Sequence, residues 1–187
     1  MGRLAAKNAL VTGGGTGVGE AIAMALADAG AHVTIAGRRT EPLEHVAGKA
    51  ANIAPVAADV TDPASVAALI ETMAKAGAAP DIVIANAGAA ESAPFVKLDL
   101  AGWQAMLDVN LTGTFLTLQA ALPVMAERGW GRLVSIASTA GLKGYPYVSA
   151  YCAAKHGVVG LTRALALEVA GKGVTVNAVC PGYTETP

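Results

Sequence analysis

Apolar runs of strand length, rich in Val, Ile and Leu, alternate along this chain with longer Ala-rich stretches of helical period. That alternation admits few folds, because strand, crossover helix and strand in succession build a parallel sheet with helices on both faces. The pattern predicts strands near Asn8–Thr12, His32–Ala36, Ala54–Ala58, Asp81–Ala85, Arg132–Ala137 and Val174–Val179. Helices are expected over Gly17–Gly30, Glu41–Asn52, Asp62–Ala76, Ala101–Arg128 and Ser149–Ala170. Asp62 followed by Pro63 marks a helix start, a cap residue ahead of a proline whose missing N–H costs nothing there. No repeat, linker or low-complexity tract breaks the pattern, so residues 1–187 are expected to form one α/β domain.

Composition narrows the function. The chain has 42 Ala and 22 Gly but only 4% aromatics, so backbones are expected to pack closely. With 53% apolar and 14% charged residues it is too hydrophobic to stay disordered. A net charge of -1, with no block of like charge, offers no footprint for nucleic acid or an anionic membrane. Cys152 and Cys180 have neither CxxC nor metal-ligand spacing, and no leader-like segment precedes the first motif, so a reduced cytoplasmic protein without a metal is expected. The longest uncharged stretch, Val109 to Ala126, carries Asn110, Thr112, Thr114, Thr117, Gln119 and Pro123. It reads as a buried helix and not as a membrane span.

The first strand runs into Thr12-Gly13-Gly14-Gly15-Thr16-Gly17-Val18-Gly19 and then into an amphipathic helix from Glu20. Glycines there permit positive φ and close backbone approach, and the helix N-terminus presents unpaired N–H groups to a pyrophosphate. An ATP- or GTP-binding loop would need Lys and Ser/Thr after the last glycine, where Glu20 and Ala21 stand. A dinucleotide is therefore expected. Where an NAD-binding chain would end its second strand on an acidic residue, this one reads Ala36-Gly37-Arg38-Arg39. Arginine holds a 2'-phosphate bidentately, which favours NADP(H), with NAD(H) as the alternative; the plainer reading is a solvated basic pair opening a loop.

Tyr151 and Lys155 stand four apart on a predicted helix and so share a face, with Ser138 just after a strand. A phenol titrates near pH 10, so a nearby ammonium that stabilises the phenolate would ease proton exchange at neutral pH. Taken singly each residue has a plainer role: Tyr151 a helix-start aromatic, Ser138 a turn residue, Asn110 a polar kink in an apolar helix, Asp59 a loop or cap residue. His156 follows Lys155 and faces elsewhere, and no GxSxG surrounds Ser138, which argues against a serine hydrolase.

The ordered set of these motifs resembles the classical short-chain dehydrogenase/reductase family. The resemblance rests on Gly13, Gly15, Thr16, Gly17, Val18 and Gly19 in the turn, Asp59-Val60, Asn86-Ala87-Gly88, Asn110, Ser138, Tyr151, Lys155 and Pro181-Gly182. It implies a doubly wound, three-layer Rossmann-type α/β fold and reversible reduction of a carbonyl by NADP(H) or NAD(H). It further implies that Tyr151 donates the proton, Ser138 binds the carbonyl oxygen, Lys155 also binds the ribose hydroxyls, and Asn110 supports a water linking Lys155 to solvent. Asp59 would contact adenine, and Pro181 to Thr186, including Thr184, would hold the carboxamide end of the cofactor. Family members continue further, through a lid, a helix and a seventh strand, so the chain is expected to be C-terminally truncated relative to them.

Segments around Ser138 to Tyr145, Met125 to Arg132 and Val176 to Tyr183 resemble 3-oxoacyl thioester and polyketide ketoreductases, implying 3-oxoacyl or 3-hydroxyacyl substrates. Leu142, Tyr145, Tyr147 and Tyr183 are candidate pocket walls, or packing residues. Apolar residues around much of helices Ala101–Arg128 and Ser149–Ala170, including Phe115, Leu118, Leu122, Val158, Leu161 and Leu165, predict a homodimer or homotetramer. The second functional reading is a nucleotide sensor or scaffold that keeps the fold without turnover.

Overall fold

Each strand that the apolar pattern predicts forms within one residue of its expected bounds. The computed structural model describes residues 2–186 and gives β1 (Asn8–Thr12), β2 (His32–Gly37), β3 (Ile53–Ala57), β4 (Ile82–Ala85), β5 (Gly131–Ile136) and β6 (Val174–Val179). All pairs are parallel, in the order β3-β2-β1-β4-β5-β6. Leu10 on β1 is level with Thr34 of β2 on one side and Val83 of β4 on the other. The chain therefore winds outward from β1 in one direction and then returns to build the other half from β4. That reversal opens a crevice beyond the carboxyl ends of β1 and β4.

The helices are α1 (Gly17–Asp28), α2 (Thr40–Ala47), α3 (Pro63–Lys75), α4 (Leu100–Leu107), α5 (Gly113–Glu127) and α6 (Ser149–Glu168). On one face Val11, Ile35, Leu43, Val46, Ile53 and Ile84 pack with Ala23 and Ala27 of α1. On the other, Leu10, Val83, Leu133 and Val176 meet Leu69 and Met73 of α3 and Leu118, Ala121 and Met125 of α5, with Leu161 and Leu165 of α6 against them. Asp62 caps α3 as the sequence predicts, its carboxylate accepting from the Ala64 N–H at 2.9 Å.

The structure corrects three expectations. The helix expected over Ala101–Arg128 is two helices joined by a π turn at Asp108–Thr112, where the Gly113 N–H bonds the Asp108 carbonyl. The amide of Asn110 sits at the break, bonding both Ala89 outside the helix and the Met106 carbonyl within it, as described below. The helix expected to reach Asn52 stops at Ala47, and Asn52 Nδ2 instead donates to the Ala27 and Ala31 carbonyls at 2.9 and 2.8 Å, fastening the loop to the end of α1. Of the residues expected at a subunit interface, Leu118 and Val158 are core, 1% and 0% exposed, because both point at the sheet; Phe115 remains open.

The run Leu100–Glu127 is long and apolar enough, by length and composition alone, to cross a bilayer. Here it is a core helix interrupted by the π turn, and Asn110, Thr114, Thr117, Leu118, Ala121 and Met125 are buried within the fold.

Candidate active site

The glycine turn is shaped by its neighbours. Gly13 has φ +65, and a Cβ there would stand 2.9 Å from the Ala87 Cα; a Cβ on Gly19 would run into the Gly13 carbonyl oxygen. No side chain caps α1 at Thr16, which leaves the amides of its first turn available at the crevice. Thr12 Oγ1 accepts the N–H groups of Asn86 and Ala87, both at 3.1 Å, and Asn86 Nδ2 donates to the Thr12 and Gly13 carbonyls at 2.9 and 3.2 Å. These bonds stitch the ends of β1 and β4 together and hold the turn open. A cradle free of side chains beside unpaired amides fits a dinucleotide's pyrophosphate.

One arm of the crevice, about 750 Å³, runs from this turn across the ends of β2 and β3. It is lined by Gly13, Gly15, Thr16, Gly17, Val18 and Gly19, by Arg38 and Arg39, by Asp59 and Val60, and by Asn86, Ala87 and Gly88. Asp59 Oδ1 accepts from the Thr61 N–H at 2.9 Å and the Thr61 hydroxyl at 2.8 Å. Those two bonds, with a smaller contribution from the Arg38 guanidinium, hold its carboxyl below the usual carboxylate range. Arg38 and Arg39 are exposed on the wall. Pro42, Leu43, Thr61, Asp108 and Val109 also line this arm and were not legible, since their roles depend on α2 and the π turn folding over the crevice.

The other arm, about 720 Å³, lies beyond β4, β5 and β6. It brings together Asn110, Ser138, Tyr151 and Lys155, with Tyr145, Pro181, Gly182, Tyr183, Thr184 and Thr186. Lys155 is 4% exposed, its Nζ donates to the Ile136 carbonyl at 2.8 Å, and it stands 5.5 Å from the centroid of the Tyr151 ring. Burial pushes its pKa down from 10.5 to about 8, offset in part by Cys180. Ser138 Oγ accepts from the Ala140 N–H at 3.1 Å, so its own proton is available to a ligand.

Asn110 is fully buried. Its Nδ2 donates to the Ala89 carbonyl at 2.8 Å and the Met106 carbonyl at 3.0 Å, and its Oδ1 accepts from the Ala89 N–H at 3.3 Å. The bond to Met106 takes the carbonyl that a regular helix would give to the Asn110 N–H, which accounts for the π turn.

Tyr145 bonds Thr139 Oγ1 at 2.9 Å and meets Tyr183 edge to face, with centroids 6.5 Å apart. The Thr139 N–H donates to the Pro181 carbonyl at 2.9 Å, which docks the segment after β6 beside Ser138. Leu142 lies outside both arms: its N–H closes the short turn Thr139–Gly141 and its side chain is 58% exposed, so the pocket-wall reading is corrected. Sequence reasoning also missed Ala90, Ser92, Pro146 and Val148, whose small or apolar side chains carry no signal of their own. The two arms share Val18, Asn86, Gly88, Ala89 and Thr186, so they form one continuous crevice.

A family model described as short chain dehydrogenase matches residues 7–187. A D-beta-hydroxybutyrate dehydrogenase from Rhizobium meliloti is 40% identical, over 97% of this chain and 72% of its own length. A 3-oxoacyl-[acyl-carrier-protein] reductase from Synechocystis is 37% identical, over 100% of this chain and 77% of its own. The crystal structure of a variant actinorhodin polyketide ketoreductase with NADPH superimposes with a TM-score of 0.95 at 37% identity, covering 100% of this chain and 74% of that one.

Proposed function

The chain belongs to the short-chain dehydrogenase family of oxidoreductases, and from that premise we propose that it is an NADP(H)-dependent carbonyl reductase, running in reverse as a secondary alcohol dehydrogenase. Its substrates are 3-oxoacyl or 3-hydroxyacyl compounds. The observation that carries the proposal is the continuity of the crevice: a groove floored by the glycine turn opens, past Val18 and Gly88, onto Ser138, Tyr151 and Lys155. NADP(H) has the support of Arg38 and Arg39 on the wall, where a 2'-phosphate would meet two cations. The substrate class has the support of relatives named for 3-hydroxybutyrate and 3-oxoacyl substrates. Nothing favours the sensor reading over this one.

The bound nicotinamide would supply or accept the hydride. The chain supplies the rest. Tyr151 delivers a proton to the carbonyl oxygen as it becomes an alkoxide, and the Ser138 hydroxyl donates a hydrogen bond to the same oxygen. Lys155, whose ammonium stands 5.5 Å from the centroid of the Tyr151 ring, stabilises negative charge on the phenol as it gives up its proton. Ile136 holds that ammonium in place, and Asn110 fixes the loop through Ala89 that borders both arms. We further propose that the described residues act as one dinucleotide-binding unit and that a second copy covers the exposed side of α5 and α6 at Phe115.

The test is NADPH fluorescence for binding, with nicotinamide absorbance in the presence of an acetoacetyl thioester. Binding with ketone-dependent oxidation of NADPH is expected. Binding without turnover across a panel of ketones would remove the catalytic assignment and leave a nucleotide-holding fold.

A further inference from the structure

Among the described residues two that are not glycine have positive φ, Ala6 at 62° and Tyr147 at 66°. A tyrosine takes that left-handed conformation only where its surroundings impose it. Its ring does not account for it, being 62% exposed and lining neither arm, so the reading of Tyr147 as a pocket wall is corrected. The main chain does. In this turn the Tyr147 carbonyl accepts from the Ala93 N–H at 2.8 Å, which ties the loop after β5 to the loop after β4. Pro146 and Val148, on either side of the turn, line the arm that holds Ser138 and Tyr151, and so do Ala90 and Ser92 of the bonded loop. The ladder of α6 begins directly afterwards, with the Cys152 N–H on the Val148 carbonyl at 2.8 Å and no side-chain cap, so Tyr151 stands in the first turn.

The loop after β4 is thus held at two points. Asn110 grips Ala89, which borders both arms, and Tyr147 grips Ala93, next to Ser92 of the substrate arm. We propose that Tyr147 is a positioning residue: its left-handed turn clamps the wall carrying Ala90 and Ser92 against the start of the helix carrying Tyr151. This rests on the reductase reading above and adds to it a residue outside the lining of both arms. Ketone binding then depends on the backbone at position 147. NADPH binding does not, because the glycine turn and the Asn110 anchor keep their places without the clamp.

The experiment sets Tyr147→Val, whose β-branched side chain resists positive φ, beside Tyr147→Gly, which adopts it freely. NADPH oxidation with an acetoacetyl thioester gives KM and kcat, and NADPH fluorescence gives Kd. Tyr147→Val is expected to raise the thioester KM about tenfold with kcat within about threefold and the NADPH Kd unchanged. Tyr147→Gly is expected to keep all three at their original values although the ring is gone. Hydrogen exchange reads the clamp directly: the Ala93 amide should exchange about 100-fold more slowly than an unstructured one in the unaltered protein and in Tyr147→Gly, and lose that protection in Tyr147→Val. An unchanged KM in Tyr147→Val, or a KM raised equally in Tyr147→Gly, overturns the proposal and leaves the reductase reading standing. So does an unprotected Ala93 amide in the unaltered protein, whether or not either variant folds. Absence of turnover in the unaltered protein, with NADPH bound, overturns the reductase reading and this role with it.

Discussion

Lys155 donates to the main-chain oxygen of Ile136 at 2.8 Å while its ammonium faces the ring of Tyr151 at 5.5 Å. The end of β5 therefore sets both the ammonium, through Ile136, and the Ser138 hydroxyl two residues on. The ammonium and the serine hydroxyl share one rigid support.

Replacing Lys155 with Met is expected to abolish turnover yet stabilise the fold at pH 7. The buried ammonium titrates near pH 8 in place of 10.5, a cost of about 3 kcal/mol at neutral pH, from which about 1.5 kcal/mol is subtracted for the lost hydrogen bond. A cation whose folded pKa is depressed carries its full penalty below pH 8 and loses it as pH rises toward 10.5. Urea unfolding should thus show the variant about 1–2 kcal/mol more stable at pH 7, with the gap shrinking above pH 8. A less stable variant at pH 7 would contradict the desolvation account.

The same titration sets a pH profile. Carbonyl reduction that needs the ammonium is expected to have kcat/KM level below about pH 8 and falling toward tenfold per unit above it. In Lys155→Arg, where any activity survives, the decline should move beyond the accessible range. A flat wild-type profile from pH 7 to 10 would remove Lys155 from the rate equation.

Tyr151→Phe is expected to lower kcat by about 1,000-fold while NADPH fluorescence titrations give an unchanged Kd. Substantial residual turnover would assign the proton to another group.

Arg38→Asp should lower the NADPH/NADH ratio of kcat/KM by about tenfold or more, since the change removes a charge-assisted donor and adds a repulsive carboxylate. An unaltered ratio would mean that the exposed arginine pair is solvated and reads no phosphate.

Asn110→Ala is expected to cost about 1–3 kcal/mol of stability, because it removes the hydrogen bonds by which the buried Asn110 amide ties Ala89 to the helix. Thermal unfolding measures it, and a change below about 0.5 kcal/mol would show that water replaces the amide.

Most of the sheet was readable because parallel strands buried on both faces leave unbroken apolar runs, such as Ile82-Val83-Ile84-Ala85. The glycine turn and the Tyr151–Lys155 pair were readable because their geometry is local: a strand end, a helix start, one helical turn. The π turn was not, because the Asn110 amide at its centre is held from outside the helix by Ala89, 21 residues away, as well as by Met106 within it. Thr12 hides its clamp on Asn86 in the same way, across 74 residues. Leu142 misled because an apolar residue near Ser138 looks like a wall, and only the hydrogen-bonded turn at Thr139 directs it outward.

Gly88 sits where the nucleotide groove meets the reacting centre, and a Cβ there would come 2.6 Å from Asn110 Oδ1 and 3.6 Å from Lys155 Nζ. The junction of the two compartments thus carries no side chain of its own, and a methyl there would press on the Asn110 amide and crowd the Lys155 ammonium. Even alanine at this position would disturb the groups facing Tyr151, while the glycine-lined floor at Gly13 and Gly19 stayed untouched. Affinity and turnover, which most crevice mutations damage together, would come apart here.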